Sequence, residues 1–302
     1  MPSEAAATPP IDPDRRAHVS HAILSQNLSM GLVLTSALAL LITGPAVSIE
    51  SDLRSVLRRT GEYVEEYHDN LTTVVADELY VQRLSRGSAG ETQTRTLKSE
   101  LAIARGEAED GWFAIRDVLE VDGQPVGERS QIDALLRVPR ARLRTAAFAI
   151  AVEQMKYNLG AVSRTINVPT LPLMFLLPDH QTRFRFRSGG TATMSGTTVI
   201  LISYEERERP TIIRTPNGRS VVSRGTLWID QAKGRVLKTE LVTNEPRGLK
   251  AVITVDYEYD TRLNLLVPAT MSESYATAEE EITTTATYSN FRRFEADARI
   301  VR

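Results

Sequence analysis

Cysteine is absent from this chain of 302 residues, and the absence excludes several classes of protein at once. Without cysteine there is no disulfide framework, no thiolate zinc site, no cysteine nucleophile and no acylated N-terminal cysteine. Histidine is also scarce, because the chain has only 4 and His18 and His21 precede the residues expected to fold. A metal site or catalytic triad could therefore draw only on His68 and His180, which we expect to be surface or turn residues.

The motifs that mark common enzymes are missing too. The sequence contains no G-x-G-x-x-G, P-loop, H-E-x-x-H or G-x-S-x-G pattern. A formal net charge of -2, with 42% hydrophobic and 25% charged residues, is ordinary for a globular protein and argues against nucleic acid as a partner. The sequence therefore predicts a protein with no catalytic residues, no metal site and no cofactor.

The first 48 residues are predicted to lie outside the folded domain. Residues 1–14 are rich in Ala, Pro and acidic side chains and are expected to be disordered. Residues 31–43 form an apolar run followed by Ala46 and Ser48, the small-residue spacing of a cleavage site. The run is shorter than the roughly 20 apolar residues of a spanning helix. We interpret it as the signal peptide of a periplasmic or secreted protein; the alternatives are an N-terminal membrane anchor and a buried helix.

Residues 49–302 are predicted to form one β-rich domain whose mature part does not span a membrane. Two helices are expected in it. The first has a stripe of apolar residues at three- and four-residue steps from Leu53 to Tyr67, and the second covers about 140–159 within an insert of about 129–160.

The rest of this domain has the two-residue period of strands. A three-strand meander is predicted over residues 71–121, with Ile115 and Val121 on one face and a turn at Asp122–Gly123. A later strand has an apolar face made of Ala251, Ile253, Val255, Tyr257 and Tyr259. Many sequential strands with one apolar face need a cover, and only two substantial helices can supply it. We therefore predict an α+β fold with a curved antiparallel sheet covered by helices.

The segment from Pro169 to Pro178 is apolar but interrupted by proline. It reads PTLPLMFLLP, which predicts a loop with one helical turn, because proline ends helices and central strands. Either this segment packs into the core, or it is a mobile plug over a cavity, with Met174 and Phe175 as adaptable ligand contacts.

Three arginines, Arg183, Arg185 and Arg187, alternate with Phe184 and Phe186. Guanidinium groups on one face of a strand would suit a phosphate or carboxylate group of a ligand. The alternative is a solvated edge strand whose charges discourage aggregation.

Five phrases between Gly225 and Phe294 carry a family resemblance. They read GTLWID, LKTEL, VDYEYD, LVPATMSESY and ATYSNFRRF. They resemble the strands of bacterial periplasmic lipoprotein carriers and their LolA-like relatives, which include outer-membrane lipoprotein-sorting proteins and stress-response regulators. The resemblance implies an incomplete β-barrel, closed on one side by helices, whose concave apolar face receives acyl chains.

These observations predict a non-catalytic binding protein for a lipid, an acylated protein such as a lipoprotein, or another hydrophobic ligand. The candidate lining residues lie on the apolar faces of adjacent strands and are Ile253, Val255, Tyr257, Met271, Ile282 and Tyr288. The three arginines would form a rim for a headgroup. An interaction or sensor module for another envelope protein is the alternative, and an enzyme using unmarked Ser, Tyr, Asp or Glu residues is a third hypothesis.

Export is directly testable. The apolar run and the small residues Ala46 and Ser48 predict a mature protein that begins near Ile49. N-terminal sequencing of the protein purified from its native host checks this. Recovery of the intact chain in the cytoplasm would contradict export, and intact recovery in the membrane would favour the anchor.

Overall fold

The computed structural model describes residues 46–293 apart from 72–73, 88–91, 106–111, 127–130, 133–134, 136–137, 139, 216 and 246–247. Within the described residues, 11 strands form one antiparallel sheet. The strands are β1 (Val74–Arg86), β2 (Gln93–Arg105), β3 (Trp112–Val121), β4 (Gln124–Pro125), β5 (Phe184–Met194), β6 (Thr197–Glu206), β7 (Ser223–Asp230), β8 (Val236–Asn244), β9 (Lys250–Asp260), β10 (Leu265–Ala276) and β11 (Glu280–Arg293). The helices are α1 (Ala46–Leu71), α2 (Arg140–Gln154) and α3 (Pro178–Gln181), with 3-10 segments at Met155–Tyr157 and Leu171–Leu176.

The strand order in the sheet is β4-β3-β2-β1-β11-β10-β9-β8-β7-β6-β5. The first and last long strands, β1 and β11, pair with each other in the middle, which leaves β4 and β5 as the two edges. These edges do not pair with each other in the described residues, so the sheet stays open. The predicted fold class, an antiparallel incomplete barrel with helices against it, is confirmed.

One face of the sheet, which carries Val255 and Met271, packs against α1, and we call it the inner face. Helix α1 forms because Val56, Thr60 and Val64 recur on one side, and all three are fully buried. Val56 and Val64 join the strand residues in one hydrophobic core. The predicted cleavage site after Ser48 falls in the first turn of α1, and the apolar run of residues 31–43 lies outside the described residues.

The outer face has a smaller core of its own at the β1–β3 side. Helix α2 packs there through Ala147 and Ile150 against Ala102 and Ile115. The prediction that Ile115 and Val121 share a face is wrong, because Val121 packs against the inner core. A β-bulge opposite Lys98 and Ser99 inserts one extra residue in β3 and reverses the faces beyond it.

Two local predictions have different outcomes. The turn at Asp122–Gly123 is confirmed, with φ angles of 51° and 78° at its two positions. The placement of Tyr259 on the buried face of its strand is wrong. Its ring is 43% exposed and lies under the guanidinium of Arg235, at 5.2 Å. Near the end of β9 the alternation of buried and exposed residues therefore stops.

Gly225 is the glycine whose replacement should cost the most in this sheet. A Cβ at this position would overlap the carbonyl oxygen of Glu240, and the Tyr204 hydroxyl that donates to that oxygen would be 2.9 Å away. We expect Gly225→Ala to lower the free energy of unfolding by about 1–3 kcal/mol or more, which is the usual cost of overpacking. The matched control is Gly189→Ala, whose new Cβ would meet no atom closer than 3.5 Å.

Denaturant unfolding of both variants measures the difference. Equal stabilities for Gly225→Ala and Gly189→Ala would contradict the close approach of β7 and β8 at this point.

Candidate ligand-binding site

A cavity of about 590 Å³ lies at one end of the open sheet. Residues 161–166, 213–215 and Val221 of two loops meet the ends of the β8–β9 and β10–β11 hairpins there, and we call the space between them the loop-end cavity. Its apolar wall is formed by Val162, Ile166, Ile213, Val221, Leu249 and Tyr275.

Gly160 allows the first loop to lie against β11. Its φ is 76°, and a Cβ at this position would come within 2.7 Å of the Ile282 side chain, so only glycine fits. The next residue, Ala161, donates its N–H to Glu280 Oε1 at 2.9 Å. The loop is therefore fixed to the start of β11 and forms a stable wall of the cavity.

Another part of the cavity lining comes from the hairpin turns. In the β10–β11 turn, Thr277 Oγ1 accepts the N–H groups of Glu279 and Glu280, at 3.2 and 3.1 Å. In the β8–β9 turn, the Glu245 N–H donates to the Leu249 carbonyl at 2.8 Å. These bonds hold both turns at the mouth of the cavity.

The rim of the cavity is mostly acidic. It carries Glu245, Glu279 and Glu280 and one basic residue, Arg214. Glu280 pairs with Arg86 at 3.4 Å, whereas Glu245 and Glu279 form no ion pair within the described chain. A ligand group at the rim therefore meets excess negative charge.

Behind Tyr275 a group of polar side chains occupies the inner face. Strand register creates part of it, because Gln82 on β1 lies opposite Thr284 on β11, which lies opposite Glu273 on β10. We define the buried polar cluster by its titratable and amide members, which are Glu78, Tyr80, Gln82, Arg116, Arg164 and Glu273.

Arg116 and Glu78 form the ion pair of this cluster. The Arg116 Nη2 donates to Glu78 Oε1 at 2.7 Å, and its Nε donates to the other carboxylate oxygen. The guanidinium also lies over the ring of Tyr80, 4.8 Å from its centre. This two-point pairing gives the charges the directed hydrogen bonds that burial requires.

Arg164 connects the loop after α2 to β1. Its Nη1 donates to Gln82 Oε1 at 2.7 Å and to the Tyr80 hydroxyl at 3.1 Å, and its Nη2 donates to the Leu159 carbonyl at 2.5 Å. Its guanidinium lies 5.9 Å from the centre of the Tyr275 ring. Arg164 is therefore the member of the cluster that lies next to Tyr275, a lining residue of the loop-end cavity.

Glu273 is the carboxyl group most affected by this environment. Burial raises its pKa above the ordinary value, and the positive charge of Arg116 opposes that rise. Its Oε2 accepts the Tyr80 hydroxyl at 3.3 Å. Burial and the charge of Glu273 raise the pKa of Tyr80 to about 12, so Tyr80 stays a hydrogen-bond donor at neutral pH. Two carboxyl groups face two guanidinium groups in the cluster, and Glu273 Oε1 and Arg164 Nε are buried there without a hydrogen-bond partner.

The segment Leu171–Leu176 packs into the core, which was one of its two predicted roles. Phe175 is fully buried and Met174 is 7% exposed. The Phe175 ring stacks on Phe184, with centres 4.8 Å apart, and contacts Tyr204 at 5.5 Å. These two predicted ligand contacts therefore fill the inner face in this structure.

The six predicted lining residues of the strands are brought together on the inner face. Ile253, Val255, Tyr257, Met271, Ile282 and Tyr288 are all buried in the same core. Val255 and Met271 are neighbours across β9 and β10. The Tyr257 hydroxyl donates to the Pro169 carbonyl at 2.6 Å, which ties the 3-10 segment to the sheet. None of the six lines the loop-end cavity.

The three predicted rim arginines do not lie beside the inner-face residues. Arg185 and Arg187 are exposed on the outer face of β5, because Phe184 beside them points to the inner core. Arg183 precedes the strand and pairs with Glu206 at 3.6 Å and Glu208 at 3.3 Å. The strand period separates these arginines from the inner-face residues.

Two further properties concern the described residues only. They contain no group of three or more His, Asp or Glu side chains placed to hold a metal ion. None of their helices has a stretch both long and apolar enough to cross a membrane.

Comparison with solved structures returns domains of the kind that the strand phrases resembled. An outer-membrane lipoprotein-sorting protein domain from Vibrio parahaemolyticus is 12% identical, with 82% of this chain and 95% of that chain covered and a TM-score of 0.40. A LolA superfamily protein from Nitrosomonas europaea is 11% identical over 80% and 97% of the two chains, with a TM-score of 0.31. The lipoprotein LppX from Mycobacterium tuberculosis is 11% identical over 81% and 99%, with a TM-score of 0.25.

Comparison by sequence returns nothing further. No family model matches the chain, and no curated protein matches it.

Sequence analysis missed the buried polar cluster. A signal for part of it was present, since Glu78 and Gln82 have the same strand phase as Tyr80 and Leu84, and all four are buried. A polar residue at an inward position needs a partner. Arg164 had no comparable signal, because it lies in a loop.

Phe175 gives a direct test of the core assignment. Because its ring is fully buried among Phe184 and Tyr204, we expect Phe175→Ala to lower the free energy of unfolding by about 3–5 kcal/mol. Denaturant unfolding measures this. A loss below about 1 kcal/mol would show that the segment does not pack as described.

Glu273 gives a test by pH. A carboxyl group whose pKa is raised in the folded state supports folding below its unfolded pKa of about 4.3, and that support is lost as pH rises through the folded pKa. We therefore expect the stability of Glu273→Gln relative to the wild type to increase as the pH rises above about 4.3. The matched control is Glu258→Gln, at an exposed position on β9. Parallel pH profiles for wild type and Glu273→Gln would contradict the assignment.

Proposed function

We propose that the protein binds a hydrophobic ligand, a lipid or an acylated protein, in the loop-end cavity and does not change it covalently. The observation that supports this is a cavity of about 590 Å³ with an apolar wall, open at the end of the sheet. Ligand pockets in proteins have volumes of about 300–1,000 Å³, and this cavity falls within that range.

The binding energy would come from burial of hydrocarbon. Val162, Ile166 and Leu249 are each only partly covered by their neighbours, so they have apolar surface to share with a ligand. Apolar surface removed from water contributes about 25 cal/mol per Å². An acyl chain laid across these three side chains would need no specific hydrogen bond.

The ligand would stay at the mouth of the incomplete barrel. The inner face beyond Tyr275 is filled by the strand residues around Val255 and by Phe175, all packed in one core. Entry of a chain between them would require Leu171–Leu176 to leave the sheet. We therefore place the ligand between the loops rather than in the centre of the barrel.

The rim favours an uncharged or cationic headgroup. Glu245 and Glu279 have no ion-pair partner within the described chain, so a free carboxylate would meet like charges there. An acyl chain in ester or amide linkage, as on a glyceride or an acylated protein, carries no such charge. The proposed ligand is therefore a neutral acyl group rather than a free fatty acid.

Absence of catalysis is part of the proposal. The two glutamates whose pKa is raised by burial, Glu206 and Glu273, do not line the cavity. Glu206 instead accepts the Ile212 N–H at 2.8 Å and the Ser223 hydroxyl at 3.2 Å.

A periplasmic or secreted setting is proposed as well, on the apolar run of residues 31–43 followed by Ala46 and Ser48.

Filling the cavity tests the site. We expect Val162→Trp to weaken binding of a fluorescent, uncharged acylglycerol probe by about tenfold or more, because the indole occupies the space that the acyl chain needs. The unfolding midpoint should stay close to that of the wild type, since Val162 lies in a loop and is only partly buried.

Val152→Trp is the matched control, since Val152 is 49% exposed on α2 and does not line the cavity. It should bind the probe as the wild type does. No binding by the wild type, or equal binding by wild type and Val162→Trp, would contradict the proposal.

A further inference from the structure

A second cavity of about 460 Å³ lies at the opposite end of the sheet. At this end Leu265 on β10 pairs with Asp260 on β9, whereas Ala276 pairs with Lys250 at the loop end. One wall comes from the second half of α1 and the other from the β7–β8 and β9–β10 turns. We call it the helix-end cavity.

Three basic residues converge on the helix-end cavity. Arg59 comes from α1, and Lys233 and Arg235 flank the β7–β8 turn. Gly234 brings the two walls together, because its φ is 70° and a Cβ there would come within 3.0 Å of the Arg59 backbone. The turn therefore lies directly on α1 and brings its two cations close to Arg59.

These cations are not neutralised by the protein itself. Within the described chain, Arg59, Lys233 and Arg235 form no ion pair, whereas Glu62 on the same rim pairs with Arg58 at 2.8 Å. Arg59 is held in place by Ser55 Oγ at 2.7 Å and the Gln231 carbonyl at 3.0 Å. Its Nε is buried and has no hydrogen-bond partner.

Hydroxyl and apolar groups complete the cavity. Tyr63 lines it, and burial raises the pKa of its hydroxyl although Arg235 opposes the rise, so the hydroxyl remains a donor at neutral pH. The exposed Tyr259 ring carries the Arg235 guanidinium 5.2 Å from its centre. Leu265 and Leu266 supply the apolar part of the lining.

We propose that the helix-end cavity binds the phosphate group of a phospholipid headgroup or of a small phosphate ester. Three cations and a protonated tyrosine hydroxyl around one space match a group with several acceptor oxygens and at least one full negative charge. Glu66 is the one acid of the lining left without an ion pair in the described chain, so the cations outnumber it. This site lies apart from the loop-end cavity and does not depend on the function proposed there.

Calorimetric titration of the full chain with two probes tests the site. The probes are inorganic phosphate and dihexanoyl phosphatidylglycerol, a soluble short-chain phospholipid, and dihexanoylglycerol without phosphate is the reference. We expect the double variant Lys233→Gln, Arg235→Gln to weaken binding of the phosphate-containing probe by about tenfold or more, the equivalent of one charge-assisted hydrogen bond. Arg235→Lys should keep most of the affinity, because it keeps the charge.

The matched control is the double variant Arg185→Gln, Arg187→Gln, which removes two exposed arginines from the outer face of β5. It should bind as the wild type does, and Val162→Trp should too. If inorganic phosphate binds saturably and competes with the phospholipid, a phosphate group alone is enough for binding, as on a small phosphate ester. If only the phospholipid binds, the site requires a lipid headgroup. No binding of either probe by the wild type would overturn the proposal, as would equal losses in the two double variants. An equal loss of dihexanoylglycerol binding in the variant Lys233→Gln, Arg235→Gln would overturn it too, because this reference has no phosphate group.

Discussion

The structure depends on one constraint, which is that the apolar inner face of a large open sheet must be covered. A closed barrel covers this face with its own strands, but here β4 and β5 remain apart as the two edges in the described residues. Helix α1 and the 3-10 segment Leu171–Leu176 supply the cover and join the strands in one core. This core is filled, and the two cavities proposed as ligand sites lie outside it, at the two ends of the sheet. Both proposed sites therefore lie largely among loops and turns, which the sheet supports.

The buried polar cluster is the second feature that shapes these ends. Burying Glu78 with Arg116 carries a desolvation cost that the two hydrogen bonds between them offset, and losing one partner would cost about 3–5 kcal/mol. Through Arg164, the same cluster fixes the loop after α2 to β1 and sets the position of the Tyr275 ring. The cluster therefore links the inner face to the wall of the loop-end cavity, although none of its six members is among the lining residues.

The fold was largely predictable from the sequence because period-two patterns survive wherever a strand has one buried face. The strand around Ile253 and Val255 and the helix around Val56 were of this kind. The face of Val121 was not predictable, because the β-bulge in β3 depends on pairing with β2. The cavities were not predictable either, since each is assembled from segments far apart in the chain. The position of the arginines follows from the strand period, because the alternation that buries Phe184 turns Arg185 and Arg187 to the outer face.

Leu171–Leu176 is packed as a fixed part of the core, and the proposed ligand binds outside it, between the loops. Amide hydrogen exchange, followed residue by residue with and without the uncharged acylglycerol probe, tests this most directly. We expect the amides of residues 171–176 to be protected like those of the adjacent strands in both states. We also expect the probe to slow amide exchange in residues 161–166. Exchange of residues 171–176 as fast as that of the exposed turns, or loss of their protection when the probe binds, would contradict it.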